Sequence, residues 1–195
     1  MPDKTVIVNL SNRHIHLSKE DVEILFGKGK GLTKTKDLMQ PGQFACAETV
    51  TVKGPKSSFE GVRVLGPERP ETQCEILASD VFKLGVAGCP VSESGQLDGS
   101  FPMELVGPAG SVKKNRGLIV AKRHVHMDPA SAAAFGVANA EVVDLYVPGE
   151  RACLFENVVV RVSPKFVLEC HLDFDEGNAC GHKPGVKGEV RKRGK

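Results

Sequence analysis

Tryptophan is absent from this 195-residue chain, tyrosine occurs once, and aromatic residues make up 5% of it. That scarcity argues against a surface built to stack nucleobases. No stretch approaches the roughly 20 apolar residues of a membrane helix, so a membrane partner is not expected. The N-terminus, Met1-Pro2-Asp3-Lys4-Thr5-Val6-Ile7-Val8, lacks the apolar core and small-residue cleavage site of a secretory signal. The expected location is therefore the cytoplasm. Six cysteines, at 46, 74, 89, 153, 170 and 180, form no C-x-x-C pair. With no export signal they read as small buried apolar residues rather than as disulfides. Excess charge is also lacking: 26 basic against 24 acidic residues give +2. Residues 182–195 hold six Lys or Arg against Glu189, +5, which leaves −3 for the rest. So short a basic tail reads as solvated, disordered chain rather than a nucleic-acid arm.

What is present is ordinary globular composition, 41% hydrophobic and 26% charged, which excludes disorder and a coiled coil. The length suits one domain or two small ones and is too short for an eight-fold α/β barrel. Twenty-one glycines and twelve prolines favour many short strands. Histidine is scarce too, yet four of the six histidines sit in two H-x-H triplets.

Those triplets belong to a larger echo. Asn12-Arg13-His14-Ile15-His16-Leu17-Ser18 returns as Lys122-Arg123-His124-Val125-His126-Met127-Asp128. Pro41-Gly42-Gln43-Phe44-Ala45-Cys46 returns as Pro148-Gly149-Glu150-Arg151-Ala152-Cys153. Gly66-Pro67 answers Ser163-Pro164, and Gln73-Cys74-Glu75-Ile76 answers Glu169-Cys170-His171-Leu172. Four matches in one order indicate an internal duplication. Each copy reads as short β-branched or alternating runs bounded by Gly and Pro, with one helix after each H-x-H. Ser18 and Asp128 are the N-caps of those helices, and Pro129 occupies a first-turn position. Residues 89–116, rich in Gly, Pro, Ser and Lys, read as the connection between copies. The expected fold is mostly β, two tandem small β-barrels with short helical caps.

On a strand, residues i and i+2 share a face, so His14 and His16 project side by side, as do His124 and His126. Two imidazoles are part of a zinc site, and a catalytic zinc takes about three protein ligands. The repeat nominates the third ligand of each. Two sites follow, His14/His16/Glu75 and His124/His126/His171, each with a position open for water or substrate. Cys74 and Cys170 neighbour Glu75 and His171 and so face the opposite way, into packing. His182 has no counterpart in the other copy.

These motifs together resemble the PduL-type phosphate acyltransferases, the phosphate propanoyltransferase or phosphotransacylase family. The resemblance rests on Ser11 to Ser18, Gln40-Pro41-Gly42-Gln43, Val62 to Pro67, Thr72 to Ile76, Arg123 to Met127 and Asp173 to Ala179. It implies exchange of an acyl group, propanoyl or acetyl, between coenzyme A and phosphate: acyl-CoA + phosphate to acyl phosphate + CoA. It also implies two zinc ions between two barrels whose first strands are offset from the sequence copies. Barrel 1 is then 5–12 plus 121–182, barrel 2 is 13–120, and 183–195 is a disordered basic tail. By the same resemblance Arg69 binds phosphate and acts in catalysis. Leu10, Ser11, Asn12, Lys56, Arg63 and Asn178 contact coenzyme A. A homodimer active in propanediol degradation is implied, inside a bacterial microcompartment or free in the cytoplasm. Because the sequence opens almost at its first strand, encapsulation through the N-terminal extension common among compartment members is not expected.

The two ligand sets differ in charge: two His and a carboxylate leave a zinc at +1, three His leave it at +2. The first site then suits the CoA thiolate and the second suits phosphate or the acyl carbonyl, with direct phosphate attack and no acyl-enzyme. Two other readings stay open at this point. One is a binuclear zinc hydrolase of acyl thioesters, the other a non-catalytic zinc-stabilised binding module.

Overall fold

The computed structural model describes residues 4–193 and is built mainly of short strands. The first half carries β1 (Thr5–Ser11), β2 (His14–His16), α1 (Lys19–Phe26), β3 (Lys34–Asp37), β4 (Phe44–Lys53), β5 (Ser58–Gly66), β6 (Gln73–Ile76) and α2 (Ala78–Leu84). Next come β7 (Val91–Ser92), β8 (Phe101–Val106), β9 (Ser111–Ala121), β10 (His124–Met127) and α3 (Pro129–Phe135). The remainder is β11 (Val142–Val147), β12 (Cys153–Val162), β13 (Glu169–Asp173), α4 (Phe174–Cys180) and β14 (Lys187–Lys192).

One barrel closes in the order β1-β13-β10-β12-β11-β14. A second closes as β4-β5-β2-β6-β9-β8, because β8 pairs with both β4 and β9; β3 and β7 are added outside the ring. The chain is therefore mostly β, with two closed six-stranded barrels. Two compact units contain them. One gathers the N-terminal strand, Met39–Pro41 and the chain from Lys122 onward; the other holds Asn12–Leu38 and Gly42–Ala121. Met39–Pro41 falls in the first unit, rather than with its sequence neighbours, through Gln40. That side chain donates to Val167 O (3.0 Å) and accepts from Val167 N (3.2 Å).

The topology exposes the duplication strand by strand. β2 runs parallel to β5 and antiparallel to β6; β10 runs parallel to β12 and antiparallel to β13. Register repeats as well: His14 faces Glu75 and His124 faces His171. β9 beside β6 corresponds to β1 beside β13, both parallel. Each H-x-H strand is thus preceded in sequence by a strand belonging to the other barrel. One of the four sequence echoes does not survive. Pro41-Gly42 precedes β4, whereas Pro148-Gly149 lies in the turn between β11 and β12, and β12 corresponds to β5 rather than β4.

Two segments depart from the sequence reading. The supposed connection at 89–116 contains β7, β8 and the first half of β9, which closes its barrel. Its strands were hidden because outward Lys113 and Arg116 interrupt the apolar pattern, while Met103 and Leu105 alternate inward. The supposed disordered tail contains β14, paired antiparallel with β1 and β11. Val190 is buried there, and Gly188 passes where a Cβ would stand 2.7 Å from Leu145 Cδ1. Three of the tail's cations are partnered: Lys192 with Glu141 (3.2 Å), Arg193 with Asp144 (2.7 Å), and Arg191 over the Tyr146 ring (4.4 Å).

Each unit has its own apolar core. Ile15, Leu25, Val64, Cys74, Leu105 and Leu118 belong to one, Val8, Val125, Leu145, Val160, Cys170 and Leu172 to the other. A fully buried aliphatic side chain contributes about 1.5–3 kcal/mol. Cys74 and Cys170 are fully buried members, as their strand parity requires. Ser18 caps α1 by accepting from Asp21 N (3.2 Å), and Asp128 caps α3 by accepting from Ala130 N and Ser131 N. The helices carry the site strands in matched fashion. Arg13, just before His14, forms a two-pronged pair with Asp80 of α2, both contacts 2.8 Å. Arg123, just before His124, pairs with Glu176 of α4 at 2.7 Å.

Candidate active site

In the second unit, β2 and β6 bring His14, His16 and Glu75 together; in the first, β10 and β13 do the same for His124, His126 and His171. Within each triad one nitrogen or oxygen from every residue lies within 4.8 Å of the others. His14 Nε2 stands 3.5 Å from Glu75 Oε2. Two ligands about 2.0–2.1 Å from a tetrahedral zinc are about 3.3 Å apart, so little adjustment is needed. In the other triad the three ring centroids are 4.7–5.0 Å apart.

Backbone carbonyls set the protonation of the rings. His14 Nδ1 lies 2.8 Å from Asn12 O, His124 Nδ1 lies 2.9 Å from Lys122 O, and His16 Nδ1 lies 3.2 Å from Leu65 O. A carbonyl can only accept, so Nδ1 carries the proton and Nε2 presents a lone pair. Burial, with His14 and Arg69 nearby, pushes His16 down to about 3. Burial and the adjacent His124, His171 and Arg161 push His126 down to about 2. Burial pulls His14 down as well, but the neighbouring Glu75 carboxylate outweighs it and lifts His14 above its usual 6.5. For Glu75, burial is outweighed by His14, which holds the carboxyl well below its usual range.

The loops supply a surrounding layer that the sequence reading missed. Gln73 Nε2 donates to Glu75 Oε1 (2.6 Å) and to Ser94 Oγ (2.9 Å), while Gln73 Oε1 accepts from Gly95 N (2.7 Å). Ser94 Oγ also accepts from Arg69 Nη1 at 2.9 Å. Arg69 is thereby tied to the Glu75 triad through one hydroxyl. In the first unit, Glu169 faces the other triad, with Phe166 against His126 (ring centroids 4.3 Å apart). Only Gln73 and Glu169 carried a signal, sharing a strand face with Glu75 and His171; Ser94 lies in a loop with no periodicity.

The remaining predicted contact residues belong to both units. Leu10 packs on the first unit's core, Ser11 ends β1, and Asn178 is exposed on α4. In the second unit Asn12 Oδ1 accepts from Arg13 N (2.8 Å), and exposed Lys56 lies 4.1 Å over the Phe82 ring. Arg63 sits opposite His14 and donates to Cys46 O (2.8 Å) and Ala47 O (3.1 Å). His182 lies outside both triads, its Nε2 2.8 Å from Val8 O. Burial raises the Cys74 and Cys170 thiols far above their usual value, leaving no thiolate there at neutral pH.

Comparison with known proteins decides the family. The family model described as phosphate propanoyltransferase matches residues 7–183. The chain belongs to the phosphate propanoyltransferase family. A phosphate propanoyltransferase of Thermotoga maritima is 51% identical over 175 residues, 89% of this chain and 83% of the relative. One from Priestia megaterium is 54% identical over 175 residues, 90% and 80% respectively. A third, from Clostridioides difficile, is 48% identical over 186 residues, 95% and 88%. The protein is accordingly an enzyme of the phosphate acyltransferase class. Its two triads suit a divalent metal on their own chemistry. His126 Nδ1 is buried without a hydrogen-bond partner, although buried polar atoms are otherwise almost always satisfied, and His171 Nε2 makes no hydrogen bond but has the Glu169 carboxylate at ion-pair distance, 3.0 Å. No helix among the described residues is long and apolar enough to cross a membrane.

Proposed function

We propose that this phosphate propanoyltransferase family member is zinc-dependent. It interconverts a short-chain acyl-CoA, propanoyl or acetyl, and phosphate with the acyl phosphate and CoA. His14, His16 and Glu75 would hold one zinc; His124, His126 and His171 would hold the other. The observation that carries this reading is the pair of partly buried triads with matched register, each offering three ligand atoms and so leaving a position for substrate on a four-coordinate zinc. Bound there, zinc supplies Lewis acidity, favouring a thiolate over a thiol and polarising a carbonyl or phosphate oxygen.

The chain's own residues supply orientation and charge. The Arg69 guanidinium, held by Ser94, offers a planar fork to phosphate oxygens and offsets negative charge as a phosphate oxygen attacks the thioester carbonyl. The carbon–sulfur bond then breaks and the CoA sulfur leaves with the electron pair. Leu10, Ser11, Asn12, Lys56, Arg63 and Asn178 contact coenzyme A, with Lys56 and Arg63 facing its anionic phosphates. The buried thiols of Cys74 and Cys170 favour direct attack over an acyl-cysteine. We place the enzyme in the cytoplasm or a microcompartment, as a homodimer acting in propanediol degradation.

Replacing Glu75 by Ala is expected to reduce zinc from two equivalents to one. Phosphate-dependent CoA release should fall by more than about 100-fold, beyond the range for groups outside the ligand set. Full activity with two equivalents retained contradicts the assignment, and acyl-CoA cleavage independent of phosphate favours a hydrolase.

A further inference from the structure

The two triads are not the same in charge, and the strands that build them exchange an amide and a carboxylate. On β6 the pair is Gln73 and Glu75; at the corresponding places on β13 it is Glu169 and His171. In the second unit the carboxylate is in the triad and the amide steadies it from behind. In the first unit the imidazole is in the triad and the carboxylate stands behind. Glu169 is only 3% exposed. Its Oε1 accepts from Asn9 Nδ2 at 2.7 Å, and its Oε2 accepts from Gln40 Nε2 at 2.6 Å. Oε2 also lies 3.0 Å from His171 Nε2. Gln40 is itself buried and belongs to Met39–Pro41, the segment that leaves its sequence neighbours for this unit.

An isolated buried carboxylate is costly, and two amides relieve its hydrogen bonding without neutralising it. A cation at the adjacent histidines would. We propose that Glu169 is a positioning residue for the three-histidine triad, acting through His171. It fixes the imidazole for a bound metal and supplies the negative charge that three neutral imidazoles lack. Counted one layer outward, both triads then carry one carboxylate, and the +1 and +2 difference narrows. Asn9 and Gln40 aim the carboxylate, as Gln73 aims Glu75. Outer partners of this kind orient metal-binding imidazoles and raise their basicity. The inference rests on the metal reading of the triad.

The test uses full-length protein, zinc and a chromophoric chelator as competitor, with total zinc at saturation and metal-free circular dichroism measured in parallel. Glu169→Gln is expected to keep two equivalents at saturation while one of them binds about 10–100-fold more weakly. Gln40→Ala, which leaves the carboxylate in place, should weaken the same equivalent to a smaller extent. Unchanged zinc affinity in both variants overturns the proposal. Loss of a whole equivalent from Glu169→Gln at saturating zinc also overturns it, because Glu169 is then itself a ligand. Wild-type protein that binds no zinc removes the metal reading together with the inference, an outcome distinct from two equivalents insensitive to Glu169.

Discussion

At the scale of single residues, the candidate site depends on which imidazoles are neutral. His16 and His126, held near 3 and 2, offer lone pairs throughout the physiological range. His14 is different, because Glu75 raises it above 6.5 in the metal-free protein. Below that raised value His14 holds a proton, which a metal must displace before binding. Zinc affinity of the Glu75 triad should therefore fall as pH drops through that raised value, measured by chelator competition; a flat profile contradicts it. Four triad residues were legible in the sequence because a strand's two-residue period puts i and i+2 on one face, and the internal repeat pointed to the other two, Glu75 and His171. Ser94, Asn9 and Gln40 were not: a loop hydroxyl and two amides become site residues only when the barrels bring them to Glu75 and Glu169.

At the scale of elements, alternation succeeded where inward residues are large and failed where they are small or separated by charge. β2, β6, β10 and β13 stood out through His, Cys and Leu; β14 alternates only Gly188 and Val190 inward between lysines, arginines and a glutamate. The basic side chains here read as a solvated tail, yet Lys192 answers Glu141, and Arg193, just after the strand, answers Asp144 and Glu156. Part of the chain's basic excess thus sits on and beside a barrel strand, paired with acidic neighbours. Deleting 185–195 should leave β1 and β11 without their shared partner. Two unpaired edges and the cavity left by Val190 weigh against a margin of only about 5–15 kcal/mol for a small fold. The expected outcome by circular dichroism is loss of the thermal transition of that barrel alone, with the transition of the 12–121 barrel retained, whereas a dispensable tail would leave both unchanged.

At the scale of the whole molecule, the sequence repeat and the closed barrel are cut in different places. β1 completes the barrel of the second copy, and β9 completes that of the first. The duplication was readable from H-x-H and from Glu75 against His171, but the Pro-Gly echo misled, since turns recur wherever strands must reverse. A fragment spanning 12–121 holds all six strands of its barrel, whereas 1–110 ends before β9. The first fragment should fold and take up about one zinc, and the second should do neither. Folding of 1–110 alone would contradict the strand exchange.

Zinc content and phosphate-dependent CoA release, measured on one sample before and after metal removal, test the central claim most directly. With acetyl-, propionyl- and butyryl-CoA as substrates, two zinc equivalents are expected, with turnover that requires phosphate, disappears on chelation and returns with zinc. Undiminished CoA release from zinc-free protein, or equal release without phosphate, would contradict it.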